Sequence, residues 1–232
     1  MNIVIPMAGL GTRFKNAGYN LPKPLIDING KPMIQLVVEN LNVEGNYIFL
    51  VQKEHNDLYN LDSLLTSIKP NCKIIKINGI TEGAACTTLL ASDYINNNLP
   101  LLIANSDQYI EWDSEIFITD FSKHDAGIVT FNNNNIKWSY AKTNNFGYVT
   151  EVAEKKVISN QATVGIYYWS KGSDYVKYAN QMIEKNIRVN GEFYVCPIFN
   201  EAIQDGKTVV TKMIDNMWGL GTPEDLESFL QR

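Results

Sequence analysis

Short apolar runs alternate with amphipathic stretches through the first half of the chain. Asn2–Pro6, Tyr47–Val51, Lys73–Ile77 and Leu101–Ala104 are four or five residues long and rich in Ile, Val and Leu. Runs of that length read as strands, and those without polar alternation as strands covered on both faces of a parallel sheet. Between them lie helical spacings. Ile34, Val37, Val38 and Leu41 fall on one face of a helix that Pro32 opens from its first position. Leu58, Leu61, Leu64, Leu65 and Ile68 mark a helix over 56–68, and Thr81-Glu82-Gly83 introduces another over Ala84–Tyr94. Ile26–Ile28 reads as a short strand and Asn29-Gly30 as a turn. The βαβαβαβ rhythm predicts a doubly wound α/β sheet with ligands at the carboxyl ends of its strands.

The second half has a different texture. Residues 126–131, 139–141, 148–150 and 162–169 read as strands joined by short polar turns, with the Asn132–Asn135 tract as a loop. Helices are predicted near 172–185 and 197–205, and a last strand over 207–213. Thr222 suits an N-cap, Pro223 the first helical position, and Glu224 and Asp225 the positive end of a terminal helix. No linker and no internal repeat interrupts the chain, so one domain is expected over residues 1–232.

Composition narrows the function classes. Hydrophobic residues at 45% and charged residues at 19% are globular values. A formal net charge of −5 disfavours a nucleic-acid polymer as partner, because phosphate backbones select clustered cations. Cys72, Cys86 and Cys196 are odd in number and lack a C-x-x-C pair, which argues against a disulfide framework or zinc site. The first residues carry no charged leader and no run long enough to span a membrane, so a cytoplasmic protein without membrane contact is expected. His55 and His124 stand far apart with no triad-like neighbours.

Chemistry concentrates after the first strand. Met7-Ala8-Gly9-Leu10-Gly11-Thr12-Arg13-Phe14 is a glycine-rich turn, followed by Leu21-Pro22-Lys23-Pro24-Leu25. Two glycines two apart let the backbone approach an anion and aim its N–H groups at it. Arg13 adds a fixed fork of donors and Lys23 a mobile charge, which together suit a triphosphate. Neither standard glycine motif fits: a Walker loop needs Gly-Lys-Ser/Thr at its end, and a dinucleotide fingerprint needs a glycine where Phe14 stands. Asn105-Ser106-Asp107 follows the fourth run, where one carboxylate could hold Mg²⁺ between phosphates.

The order G-x-G-T-R, then P-K-P-L about ten residues on, resembles the sugar-phosphate nucleotidyltransferases, and the opening P-M-A-G-x-G-T-R-F is most similar to their capsule-associated branch. The resemblance runs from Asn2 to Leu226. It implies a three-layer α/β/α sandwich around a mixed, mostly parallel sheet, of the glycosyltransferase-A type. Residues 1–125 would form a nucleotide-binding half and 126–232 an acceptor-binding half. Arg13 and Lys23 would be catalytic, Ala8, Gly9, Gly11, Thr12, Asn78 and Gly83 would bind the nucleotide, and Asp107 would hold Mg²⁺. The Phe146-Gly147-Tyr148, Glu154-Lys155 and Ser159-Asn160 blocks place Gly147, Glu154, Lys155 and Asn160 on the acceptor, with Glu192 beside them. The partners implied are a nucleoside triphosphate and a phosphorylated small molecule, a sugar 1-phosphate for surface polysaccharide synthesis or a non-sugar such as phosphocholine. A homo-oligomer stays open. A family-2-like glycosyltransferase would share the fold but needs D-x-D, which Asp107-Gln108-Tyr109 breaks. The sequence also departs from the family. Where W-x-D-x-G-T carries a second metal ligand, this chain reads Trp218-Gly219-Leu220-Gly221-Thr222, and Gly219 stands at the aspartate position; Asp215 is the nearest carboxylate before it.

Overall fold

The computed structural model describes residues 1–232. The first half folds as β1 (Asn2–Pro6), α1 (Thr12–Asn16), a 3₁₀ turn over Lys23–Leu25, a small hairpin of β2 (Asp27–Ile28) and β3 (Lys31–Pro32), α2 (Met33–Leu41), β4 (Asn46–Gln52), α3 (Lys53–Tyr59), α4 (Leu61–Ile68), β5 (Lys73–Ile77), α5 (Ala84–Leu89), α6 (Ser92–Ile95) and β6 (Leu101–Ala104). There follow β7 (Gln108–Ile110), α7 (Ser114–Phe121), β8 (Ala126–Asn132), β9 (Ser139–Thr143), β10 (Val149–Glu154), β11 (Gln161–Trp169), α8 (Gly172–Glu184), α9 (Ile198–Gln204), β12 (Val209–Ile214), β13 (Met217–Gly219) and α10 (Pro223–Leu230).

One nine-stranded sheet carries both halves. Its first part runs β5-β4-β1-β6, all parallel, as the apolar runs predict. β11 then enters antiparallel to β6; its other edge takes β8, which pairs in parallel with β12. The β9–β10 hairpin extends from the start of β11, where Ala162 faces Tyr140. Only β10 and β11 run against the common direction, so the sheet is mixed and mostly parallel. On β1 the pleat divides one strand between two cores. Ile3 and Ile5 pack into the layer shared with α2 and α7, while Val4 points into the layer of α5 and α8. All three are fully buried, and burial of each such side chain is worth about 1.5–3 kcal/mol.

Four details depart from the sequence pattern. The helix over 56–68 is two helices, because Asn60 takes φ +51° between α3 and α4, a conformation Asn tolerates through local hydrogen bonding. The helix over 84–94 divides at Leu90 and Ala91. Pro32 stands before α2 in extended backbone (ψ 142°), since it pairs with Asp27 in the small hairpin, and the helix begins at Met33. The short β7 and β13 were not legible, as three residues carry no usable period. They pair with each other off the main sheet, Gln108 opposite Gly219.

Candidate active site

Two adjoining cavities share a wall after β6, the first of them at the carboxyl ends of β1, β4 and β5. The first, of about 620 Å³, is lined by Met7, Ala8 and Gly9 after β1, Gly79 and Thr81 after β5, and Gly83 before α5, together with Lys23, Gln52, Asp107 and Glu192. The buried Gln52 side chain, at the end of β4, ties two of these walls together. Its Nε2 donates to Ala8 O at 2.6 Å and to Gly79 O at 2.8 Å. Gly83 is required for close approach. At φ +134°, a Cβ there would stand 2.4 Å from Phe193 O, and that carbonyl also accepts from the N–H of Ala85. The segment 78–83 is thereby strapped to the chain around Phe193, whose N–H donates to Glu82 O.

The second cavity, of about 340 Å³, gathers most of the charged residues of the site. Arg13, Lys137 and Lys155 bring positive charge to it, Asp107, Glu154 and Asp225 negative charge, and Trp138 and Tyr194 aromatic surface. Lys155 Nζ donates to Tyr194 Oη at 2.6 Å. Lys155 is also the one residue other than Asn and Gly with positive φ, at +51°. That conformation costs an ordinary side chain about 1–2 kcal/mol, so the site holds strain at this lysine. Ser139 Oγ donates to Glu154 Oε2. Desolvation raises the Glu154 carboxyl above its ordinary value, outweighing the Ser139 bond and Lys155, while the Glu192 charge pushes the same way. Burial also pushes up the Tyr167 hydroxyl and the Cys196 thiol on the cavity floor, which keeps both neutral.

Ala84, Asn105 and Asp107 line both cavities and form the wall between them. Asp107 accepts a 2.7 Å ion pair from Lys23 Nζ. A Cβ on Gly221 would stand 2.9 Å from Asp107 Oδ2, so that glycine keeps the approach to the carboxylate clear. No group of three or more His, Cys, Asp or Glu side chains is placed to hold a metal. One carboxylate with a clear approach beside a phosphate-sized cavity does fit Mg²⁺, which takes one or two protein carboxylates plus phosphate and water oxygens. Asp215 lies exposed between β12 and β13 and lines neither cavity. The carboxylate near the glycine at 219 is another: a Cβ there would stand 3.4 Å from Asp225 Oδ2. Asp225 in turn accepts from Lys137 Nζ at 2.9 Å.

The structure gathers most of the residues singled out from sequence, with some reassigned. Ala8, Gly9, Lys23 and Gly83 line the first cavity. Arg13 lines the second, where its guanidinium has no ion-pair partner, and so do Glu154 and Lys155. Glu192 lines the first cavity instead of the second. Gly11 and Thr12 line neither; Gly11, at φ +62°, sets the turn against Lys23, whose Cβ a Gly11 Cβ would meet at 3.3 Å. Asn78, Gly147 and Asn160 are exposed and line neither, with Gly147 in the turn between β9 and β10. Gln52, Gln108, Lys137, Trp138 and Asp225 were missed. Each is an ordinary residue type at its position, made part of a site only by tertiary pairing.

A family model described as nucleotidyl transferase matches residues 3–231. The bifunctional protein GlmU of Methanocaldococcus jannaschii is 26% identical over 97% of this chain and 52% of its own length. The UTP–glucose-1-phosphate uridylyltransferase AglF of Haloferax volcanii is 24% identical over 100% of this chain and 96% of its own. Against GlmU proteins, the chain thus spans about half the length of the relatives it matches. Among solved structures, a nucleoside-diphosphate-sugar pyrophosphorylase from Vibrio cholerae superposes with a TM-score of 0.85 at 23% identity, covering 99% of this chain and 100% of that one. That likeness establishes the α/β fold with its mixed sheet. No helix is long and apolar enough to cross a membrane.

Proposed function

The chain belongs to the nucleotidyl transferase family, and we propose that it transfers a nucleoside monophosphate from a nucleoside triphosphate to a sugar 1-phosphate, releasing pyrophosphate. The observation that carries this reading is the shared wall. Asp107 and Asn105 face both cavities, with Lys23 on one side and Arg13 on the other. Two substrates bound in adjoining cavities would meet at that wall.

The reaction is an in-line displacement at the α-phosphorus. A phosphate oxygen of the acceptor forms the new P–O bond, the bond to the β-phosphate oxygen breaks, and pyrophosphate leaves with that electron pair. No covalent intermediate on the protein is needed; positioning and charge neutralisation supply the catalysis. The backbone of Met7–Gly9 and Gly79–Gly83 would cradle the nucleotide, Lys23 and Arg13 would meet its phosphates, and Lys155 would neutralise the acceptor phosphate. Asp107 would hold Mg²⁺, which supplies further neutralisation of triphosphate charge when bound.

The competing glycosyltransferase reading lacks its metal motif. Tyr109, two residues past Asp107, packs against Trp218 and Phe229 at centroid distances of 6.0 and 5.1 Å. The relative AglF is named for glucose 1-phosphate, which favours a sugar acceptor, and the capsule-associated opening motif favours supply of surface-polysaccharide precursors. The test is a pyrophosphate-release screen of four nucleoside triphosphates against a panel of phosphomonoesters with Mg²⁺. Release dependent on both substrates supports the proposal. Release of free phosphate, or transfer from a nucleotide-sugar, overturns it.

A further inference from the structure

One short stretch of chain passes from the first cavity to the second. Gly191 and Glu192 line the first, and Tyr194, Val195 and Cys196 line the second. Phe193, 1% exposed, sits between them and is held by backbone bonds to Glu82 and Ala85. Before it comes a hairpin. Asn190 and Gly191 take φ +49° and +83°, the two positive values of a two-residue hairpin turn. Val189 and Glu192 exchange both backbone hydrogen bonds across that turn at 3.0 Å. One such pair is too little to hold a hairpin in place by itself.

The remaining fastening is Arg188, which lines neither cavity. Its Nε donates to Asn186 Oδ1 at 2.6 Å and its Nη1 to Gly191 O at 3.0 Å. Its Nη2 pairs with the Glu82 carboxylate, on the loop that leads into α5. The guanidinium carbon lies 3.9 Å from the centroid of the Phe193 ring. One planar group thus meets three acceptors at its edge and an aromatic ring at its face. A lysine ammonium would keep the charge but has no planar fork to satisfy that set.

We propose, building on the nucleotidyltransferase reading, that Arg188 is a positioning residue for the triphosphate substrate. From outside the first cavity it clasps two parts of that cavity's wall, Glu82 in the loop and Gly191 in the hairpin, and fixes them against each other. The Glu82 carboxylate already matches its charge, so the fork geometry is its contribution and not attraction of phosphate. The second cavity is insulated from the clasp. The Phe193 anchor stands between the hairpin and Tyr194, and its main-chain bonds do not involve Arg188.

Arg188→Lys keeps the charge and loses the fork, whereas Arg188→Gln loses both. In each variant the Kd of the triphosphate that wild type binds, measured by calorimetry without acceptor, should rise about tenfold, as loss of charge-assisted hydrogen bonds does. Hydrogen exchange at the amides of Val189 and Glu192 should quicken at least about tenfold, because the hairpin opens more readily. Melting temperature should move by no more than about 2 °C, since the pair with Glu82 lies near the surface. The KM for a hexose 1-phosphate should stay within about twofold of wild type, which a general loss of structure would not permit. The inference is overturned if Arg188→Lys binds the triphosphate as wild type does, because charge alone would then suffice. Unchanged exchange at both amides, or an acceptor KM that rises in step with the triphosphate Kd, overturns it equally. Arg188→Lys decides the matter alone if Arg188→Gln does not fold. Wild-type protein that binds none of the four triphosphates would instead remove the nucleotidyltransferase reading beneath it, a result distinct from binding that the variants retain.

Discussion

The two cavities are built from different material. The first is bounded by glycine turns after β1 and β5, fastened by Gln52 and by the strap to Phe193. The second gathers three cations, three carboxylates and three aromatic residues around one small volume. A backbone wall presents the same N–H and C=O groups whatever side chains surround it, and only a few positions can damage it. A side-chain wall can be altered one residue at a time. We propose that the division follows the substrates: the triphosphate, common to many reactions, is held by backbone, and the acceptor, which differs, is read by side chains.

The largest effects should come from the shared wall. Asp107→Asn should lower kcat with Mg²⁺ by about 10³-fold, and Arg13→Ala and Lys23→Ala each by about 10²-fold, as removal of preorganised charge at a developing transition state does. Melting temperatures should hardly move in these three. Asp215→Asn, distant from both cavities, should stay within about twofold of wild type, whereas comparable losses in Asp107→Asn and Asp215→Asn would move the metal site away from the wall. Asp225→Asn separates roles further, because it breaks the pair with Lys137 on the acceptor side; it should raise the acceptor KM and leave the triphosphate KM unchanged.

Next in size is a backbone test of the first cavity. Gly83→Ala places a Cβ 2.4 Å from Phe193 O at φ +134°, which should cost about 3 kcal/mol of stability from overlap and strain together. Denaturant unfolding reads the loss, and triphosphate binding by calorimetry should disappear with it. Gly147→Ala, with nothing within 4 Å of the new Cβ, should leave binding in both cavities intact. A Gly147 variant that loses the acceptor would restore the contact expected from sequence.

The second cavity should show the opposite sign. Lys155→Gly removes a side chain held at φ +51° and should stabilise the protein by up to about 1 kcal/mol, while raising the acceptor KM. A variant that loses both stability and affinity would make Lys155 structural. Glu154→Gln is the smallest effect and depends on pH. Burial raises the Glu154 carboxyl above its ordinary 4.5, so the folded protein holds that proton more tightly than the unfolded chain. Its contribution to stability is complete below about pH 4.5 and is lost as pH rises through the folded value. Glu154→Gln should therefore melt higher than wild type near pH 8, and the gap should close toward pH 4. A constant gap across that range would place the carboxyl in solvent.

The sequence revealed the layered sheet because β1, β4, β5 and β6 are apolar runs that announce burial on both faces, and it revealed the first cavity because glycine spacing after a strand has few other uses. Arg13, Lys23, Asp107, Glu154 and Lys155 were legible through motif order. Residues whose roles depend on a long-range neighbour were not. Gln52 matters through the carbonyls of Ala8 and Gly79, and Asp225 through its reach toward Gly219. Gln108 and Trp138 come to line the second cavity only through tertiary pairing. Asp215 is the carboxylate nearest to residue 219 in sequence, but α10 brings Asp225 beside it in space.

The central claim is that bond cleavage occurs at the α-phosphorus, with an acceptor phosphate as nucleophile. Nucleoside triphosphate labelled at the α-phosphate, incubated with a hexose 1-phosphate, Mg²⁺ and the protein, tests it directly by the fate of the label. Label recovered in a nucleoside diphospho-sugar, with one unlabelled pyrophosphate released per product, is the predicted result. Label remaining in nucleoside mono- or diphosphate, with no acceptor conjugate formed, would contradict it.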